Sequence, residues 1–344
     1  MKVVHFECGL GNQMVCYANY LLVKKYNPDE KVFMEGLIYN VNNSVGISQW
    51  NGYELEKIFG ISIPDVTDLI ENKDKLQNEF NLRHNYNEGT KNSESSLYAF
   101  RKCGVLLETD EQLYTAHKKK TIKDIIIDYV TSSSENIISF NFKKIIYRCL
   151  KYYIISKKVS IKSKYFRDKR DYFYPLSFDV MKDYNLVLDI KEELIKDFTF
   201  PPLKDEKNIE IKEIIDSSNS VSIHARRSDF LQYNSDCYKY GYFRKAVKYI
   251  KKKVKNPVFF IFSEDAEWCK SNLGTLGLDD NSDSIYFIDW NSNDESFRDM
   301  QLMSYCKHNI ITKSSFGWWA GFLNRNPNKI VCSQYSEYYS VKYF

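Results

Sequence analysis

The chain has no apolar run approaching the roughly 18 residues that a membrane-spanning helix needs. It also lacks a basic-then-apolar leader, because Glu7, Gly9 and Gly11 interrupt its first residues. There is no Asp-x-Asp string, no Cys-x-x-Cys pair and no His/Cys cluster. The expectation is therefore that no metal is required, and the eight cysteines read as reduced, buried thiols of a cytosolic protein. Nor does one charge dominate: 49 basic and 45 acidic residues leave a net charge of +4, which argues against nucleic acid as the main partner. What the chain does have is 344 residues, enough for one large domain or two ordinary ones, and 27 Tyr and 22 Phe. Those rings suit sugar-stacking surfaces, but core packing is their commoner use.

The stretch Val221 to Asp229, V-S-I-H-A-R-R-S-D, organises the second half. An apolar strand runs into His224, Arg226, Arg227 and Asp229, and arginine's rigid fork of donors suits phosphate oxygens. After it, short apolar runs alternate with amphipathic ones. Strands are predicted at 257–262, 285–288, 309–312 and 329–332, with helices at 238–254, from 266, at 296–305 and at 316–323. That alternation predicts a parallel, doubly wound sheet whose ligand lies beyond the strands' carboxyl ends. Those ends carry Arg226 and Arg227, Ser263 and Asp265, Asp289, and Ser314 and Ser315. Hydroxyls and free N–H groups at a helix start favour an anion, so a nucleotide diphosphate is expected there.

The chain opens with a predicted strand at 3–6, a turn G-L-G-N-Q-M at 9–14, a helix at 12–25 and a strand at 31–34. Met14 stands where a dinucleotide fingerprint needs its third glycine, and Glu35 could serve as its ribose-binding acid, so the match is partial. Asn12 and Gln13 set two amides at a helix start, where they could bind sugar hydroxyls or cap the helix. Residues 81–96 read as a polar surface loop. Residues 117–170 are basic and aliphatic, a solvated helical hairpin or a face for an anionic membrane surface. Pro201-Pro202 mark the expected domain boundary, giving domains 1–202 and 203–344 with a variable insertion around 80–200.

With these residues laid out, the sequence resembles the α-1,2-fucosyltransferases of glycosyltransferase family 11. The resemblance rests on G-L-G-N-Q-M with Tyr17-Ala18, on Y-E-L-E-K-I-F-G-I (53–61) and on H-A-R-R-S-D (224–229). It rests also on F-F-I-F-S-E-D-A-E-W-C-K (259–270) and on the block from Asp299 to Asn324, containing K-S-S-F-G-W-W-A-G-F-L. It implies an α/β chain of GT-B type, two Rossmann-like domains facing across a cleft. The implied reaction is inverting, metal-independent transfer of L-fucose from GDP-β-L-fucose to the 2-hydroxyl of a terminal galactose. In that picture Arg226 neutralises the leaving phosphate, with His224 and Arg227 in support. Ser314, Ser315 and Phe316 wall the phosphate and fucose, Ser263 and Asp265 belong to the donor site, and Asp265 contacts guanosine. Asn12, with Gln13, serves the acceptor side. Three departures stand out: Cys8 and Gly317 replace the usual glycine and serine, and residues 80–200 lack the family's aromatic block, which leaves the acceptor open.

Losing a diphosphate builds negative charge that fixed cations or a metal must offset, and Arg226 is available for that. A base could take the acceptor's proton, and Glu7 and Asp229 are both candidates. The rivals are an NAD(P) oxidoreductase built on the Gly9–Gly11 turn, a non-catalytic nucleotide- or glycan-binding module, and a fucosyltransferase of another linkage or acceptor. The resemblance further implies a cytoplasmic bacterial enzyme of O-antigen or surface polysaccharide synthesis. Its acceptor could be lipid-linked, with peripheral contact at the inner membrane face through the basic segment 142–169.

Overall fold

A computed structural model describes residues 1–41, 51–86, 92–109, 171–175, 184–227, 230–333 and 342–343, with isolated positions between 126 and 146. Most of the basic segment 117–170, and Asp229, lie outside the described residues. The chain divides into two compact units, Met1–Thr121 with Lys157–Asp197, and Ile122–Ser156 with Phe198–Phe344. Both are α/β with parallel sheets, as expected.

In the first unit β1 (Lys2–His5) lies between β2 (Val32–Glu35) and β3 (Tyr172–Tyr174), all parallel. Every residue of the three strands is buried, including the polar Lys2, His5 and Glu35 at the strand ends, so none shows an alternating pattern. Helix α1 (Leu10–Tyr26) links β1 to β2 and is buried on most of its surface. A short helix α2 (Leu55–Phe59) stops at Gly60, whose φ of 67° favours glycine. Residues 81–96, expected to be structureless, are helical wherever they are described. They belong to α3 (Lys73–Tyr86) and α4 (Asn92–Lys102). Leu76 and Phe80 of α3 and Leu97 and Phe100 of α4 share one core with Val3 and Phe173 of the sheet. Each buried phenylalanine contributes about 1.5–3 kcal/mol, enough to hold two otherwise polar helices. Two further helices, α5 (Tyr184–Asp189) and α6 (Lys191–Asp197), close this unit.

In the second unit α7 (Glu206–Ser217) is capped by Asp205, whose carboxylate accepts from Asn208 N at 2.8 Å. Its strands are β4 (Asn219–His224), β5 (Pro257–Phe262), β6 (Ser284–Ile288), β7 (His308–Ile311), β8 (Val331–Ser333) and β9 (Lys342–Tyr343). They lie in the order β6-β5-β4-β7-β8-β9, all parallel. The chain therefore builds outward from β4 to β6, then returns to β4's other side to lay down β7. The reversal falls between β4 and β7, and a doubly wound sheet binds its ligand at that place.

Between the strands run α8 (Leu231–Asn234), α9 (Asp236–Lys239), α10 (Tyr242–Lys253), α11 (Ala266–Ser271), α12 (Leu273–Leu276), α13 (Phe297–Tyr305) and α14 (Ser315–Leu323). The single helix predicted over 238–254 is two, broken at Gly241 with φ 74°. Helix α10 buries Phe243, Ala246, Val247 and Ile250 against the sheet and turns its lysines outward, a strongly amphipathic pattern. The buried Tyr242 hydroxyl ties it down, lying 2.6 Å from the carbonyl of Ile311 and 2.9 Å from that of Cys332.

Candidate functional site

At the reversal point, β4 runs out into Ala225, Arg226 and Arg227 while β7 runs into Thr312, Lys313, Ser314 and the start of α14. The two exits touch. The ring of His224 lies 5.6 Å from that of Phe316, and a Cβ on Gly317 would sit 2.6 Å from His224 Nδ1. Gly317 is thus a close-approach glycine, which accounts for its standing where serine is usual. The buried Trp318 and Trp319 behind it, centroids 4.8 Å apart, anchor α14 in the core. Ser314 is the N-cap residue of α14 and places no side-chain hydrogen bond on the helix. The hydroxyl and the helix start can therefore serve an anion.

The two arginines have different work. Arg227 is held: its Nε donates to Asp265 Oδ2 at 2.9 Å, and its guanidinium lies 3.5 Å from the ring centroid of Trp268 and 4.9 Å from that of Tyr238. Its backbone N–H donates to Glu264 Oε1 at 2.6 Å. Arg226 keeps a looser link, its Nε 3.9 Å from the same carboxylate oxygen. The Tyr238 hydroxyl fixes its backbone by donating to its carbonyl at 2.6 Å. Of the pair, Arg227 is the one paired with Asp265 and stacked on Trp268.

Three other expected donor-site residues turn out to brace this loop. Ser263 Oγ donates to the Ala225 carbonyl at 2.7 Å and accepts from Asp265 N at 3.1 Å. Asp265 caps α11, accepting from Trp268 N at 3.3 Å, so both its oxygens are engaged inside the protein. His224 is fully buried, and burial, with Arg226 adding, pushes its pKa down to about 3. It supports the site as a neutral ring beneath α14, not as a second cation. Glu264, which the sequence reading passed over, is the acid beside both arginines; it sits in the same S-E-D run that ends β5.

In the first unit the carboxyl ends of β1 and β2 carry a second group of polar residues. The turn after β1 puts Cys8 at φ 65°, a left-handed conformation, which explains why glycine is usual at that position. Gln13 is fully buried and spent: Nε2 donates to the carbonyls of Cys8 at 2.9 Å and Gly52 at 2.7 Å, and Oε1 accepts from Glu54 N at 2.8 Å. It stitches two loops together, so the acceptor-side role expected of it does not hold. Asn12, one turn into α1, is partly exposed. The Leu10 N–H at the start of α1 donates to Glu54 Oε2 at 3.1 Å. The place where a dinucleotide fingerprint would seat phosphate is thus filled by a carboxylate of the chain itself.

Glu35, considered above as a ribose ligand, is fully buried and lies 2.5 Å through Oε2 from His5 Nδ1. Its other oxygen accepts from Leu37 N at 2.7 Å. His5 Nε2 in turn lies 3.4 Å from Glu7 Oε2, which also accepts from Asn92 Nδ2 at 2.7 Å. Burial alone would hold the His5 pKa down, but Glu35 and then Glu7 outweigh it and push it up to about 10. His5 was not among the candidates: a lone histidine in an apolar strand reads as core, and only the register pairing His5 with Glu35 exposes its role.

A cavity of about 350 Å³ bordered by Phe200, Tyr305 and Arg325 opens on the second unit, but at the amino ends of its strands, away from Arg226. Among the described residues, no three His, Cys, Asp or Glu side chains are grouped as a metal site, and no helix is long and apolar enough to cross a membrane.

Sequence comparison fits this picture. An α-1,2-colitosyltransferase of Escherichia coli is 38% identical over 145 residues, 40% of this chain and 47% of that protein. The O-antigen biosynthesis glycosyltransferase WbnK of Escherichia coli is 31% identical over 153 residues, 43% of this chain and 46% of that protein. The human galactoside alpha-(1,2)-fucosyltransferase 1 is 32% identical over 108 residues, 30% of this chain and 28% of that protein. The chain spans about half the length of the two bacterial relatives it matches. The profile of glycosyl transferase family 11 matches residues 60–339, a span that includes every donor-side residue above and begins after the Gly9–Gln13 turn. This chain belongs to glycosyl transferase family 11.

Proposed function

We propose that the chain transfers L-fucose from GDP-β-L-fucose, with inversion and without a required metal ion, to the 2-hydroxyl of a terminal galactose. The observation that carries this is the reversal point of the second sheet, where Arg226 and the start of α14 offer a fixed cation and helix N–H groups to a diphosphate. In this reading the second unit holds the donor. As the C1–O bond to the β-phosphate breaks, its electron pair leaves with GDP, and Arg226 takes up the growing charge. The anomeric carbon passes through an oxocarbenium-like state while the acceptor hydroxyl adds from the opposite face and gives up its proton. Asn12 contributes an amide on the acceptor side.

The α-1,2-colitosyltransferase relative favours a second reading with the same linkage and a colitosyl donor. The O-antigen relative supports a surface-polysaccharide acceptor. The test is GDP release from GDP-fucose with EDTA present, with and without lactose, for the wild type and Arg226→Ala. Lactose-dependent release that survives EDTA and falls about 100-fold or more in the variant is expected. Colitosyl transfer outpacing fucosyl transfer would select the second reading, and failure to bind GDP would sink both.

A further inference from the structure

Helix α10 meets the second sheet through its apolar side, and what it turns outward is Arg244, Lys245, Lys248, Lys251, Lys252 and Lys253. Every exposed residue of the helix is thus a cation, and the helix holds no acid. Lys255, just past its end, is exposed as well. A solvated helix face ordinarily mixes the two signs, because acid and base one turn apart stabilise it. Here Arg244 and Lys248, and Lys248 and Lys252, stand at that spacing and repel. The helix dipole accounts for the lysines of the last turn, but it opposes Arg244 in the first and does nothing for Lys248 at the middle. Among the described residues Lys251 pairs with Asp283 at 2.7 Å, and no acid pairs with the others. The nearby acids, Asp279, Asp280 and Asp283, lie together in the turn before β6 on the side of Lys251, and Asp283 Oδ2 also accepts from Asp279 N at 2.8 Å. Fold stability alone leaves this row of cations unexplained.

We propose that the outer face of α10 docks on an anionic lipid surface. Clusters of basic residues on an amphipathic helix suit anionic headgroups, and the composition of this one selects lipid over other polyanions. All but Arg244 are lysines, compact charges on flexible stems without the planar fork that reads a fixed phosphate geometry. The one ring near the outer face, Tyr249, is packed against the core, so no aromatic platform is offered to nucleic-acid bases. Mobile headgroups can follow any spacing of lysines. The apolar side of α10 is already used by the sheet, so the contact is one of charge, without insertion. Helix α10 returns the chain from the carboxyl end of β4 to the amino end of β5 and so lies along the strands. Docking by its side leaves the strands' carboxyl ends, with Arg226, at the rim of the contact. The proposal does not depend on which sugar is transferred.

The test is co-sedimentation of the full chain with phosphatidylcholine vesicles, with and without phosphatidylglycerol. Binding is expected with the anionic lipid alone, and it should weaken as salt rises beyond about 0.1 M, where charges are screened over about 10 Å. Lys245→Gln, Lys248→Gln and Lys252→Gln together should weaken it about 100-fold. That variant removes like-charge pairs, so it should melt no lower than the wild type, which separates lost docking from lost folding. A control with the same change in net charge, Lys31→Gln, Lys75→Gln and Lys204→Gln, alters exposed lysines on other elements and should bind nearly as the wild type does. No binding by the wild type would overturn the proposal. So would an equal loss in both variants, which would make net charge the cause, or full binding by the α10 variant, which would move the contact elsewhere in the chain. Retention of a DNA duplex but of no vesicle would overturn it in favour of a nucleic acid.

Discussion

Gly317 and His224 show how closely the donor side is fitted at the level of single residues. Gly317→Ser puts a Cβ where 2.6 Å separates it from a buried ring with no flexible end to yield. We expect it to cost about 1–3 kcal/mol of stability by thermal melting and to weaken GDP binding, although serine is the usual residue there. Asp299 offers a cleaner pH test. It is half-buried in the second unit, accepting from Asn291 Nδ2 at 2.8 Å, and desolvation raises its pKa to about 7 against an ordinary 3.8. Between those values the unfolded chain has lost the proton and the folded chain keeps it, so stability falls as pH rises from about 3.8 through about 7. Asp299→Asn keeps an acceptor for Asn291 and should melt higher than the wild type at pH 8, by on the order of 2 kcal/mol, with little difference at pH 4. An equal gain at both values would mean the carboxyl is not titrating.

Among the elements, the G-L-G-N-Q turn is the most informative. Gln13→Ala removes three hydrogen bonds and strands the Glu54 N–H, so a loss of about 2–4 kcal/mol is expected, seen by urea titration. Arg226-dependent GDP binding should survive at temperatures where the variant is folded. Five strands of the second sheet were legible because their apolar runs have clear punctuation: Pro257 opens β5, the Ser263-Glu264-Asp265 run closes it, and its predicted bounds match, whereas the two-residue β9 was not expected. Helices α3 and α4 were hidden by their composition. Asn, Lys, Glu and Ser outnumber the apolar positions, yet Leu76 with Phe80, and Leu97 with Phe100, keep helical spacing. The polar run from residue 81 begins in the middle of α3, so the apolar spacing of its first half falls outside it. The donor loop was only half legible. Two adjacent arginines look alike in sequence, and it takes Trp268 and Asp265, far along the chain, to show that Arg227 is the one stacked on a ring and paired with an acid.

For the molecule as a whole, the two units should answer differently to nucleotide. If the second holds the donor, GDP at about 100 times its Kd adds about 2.7 kcal/mol to that unit's opening free energy. Hydrogen exchange should then slow in β4, β7 and α14, and leave β1, β2 and α3 unchanged. Protection confined to β1 and α1 would place the nucleotide in the wrong unit.

Glu54 has a consequence for stoichiometry. Among the described residues, strand-to-helix turns lead into both α1 and α14, where the first helix N–H groups can meet an anion. The first is plugged by its own carboxylate, Leu10 N–H to Glu54 Oε2 at 3.1 Å. Although both sheets are parallel, a calorimetric titration with GDP should therefore saturate at one equivalent per chain.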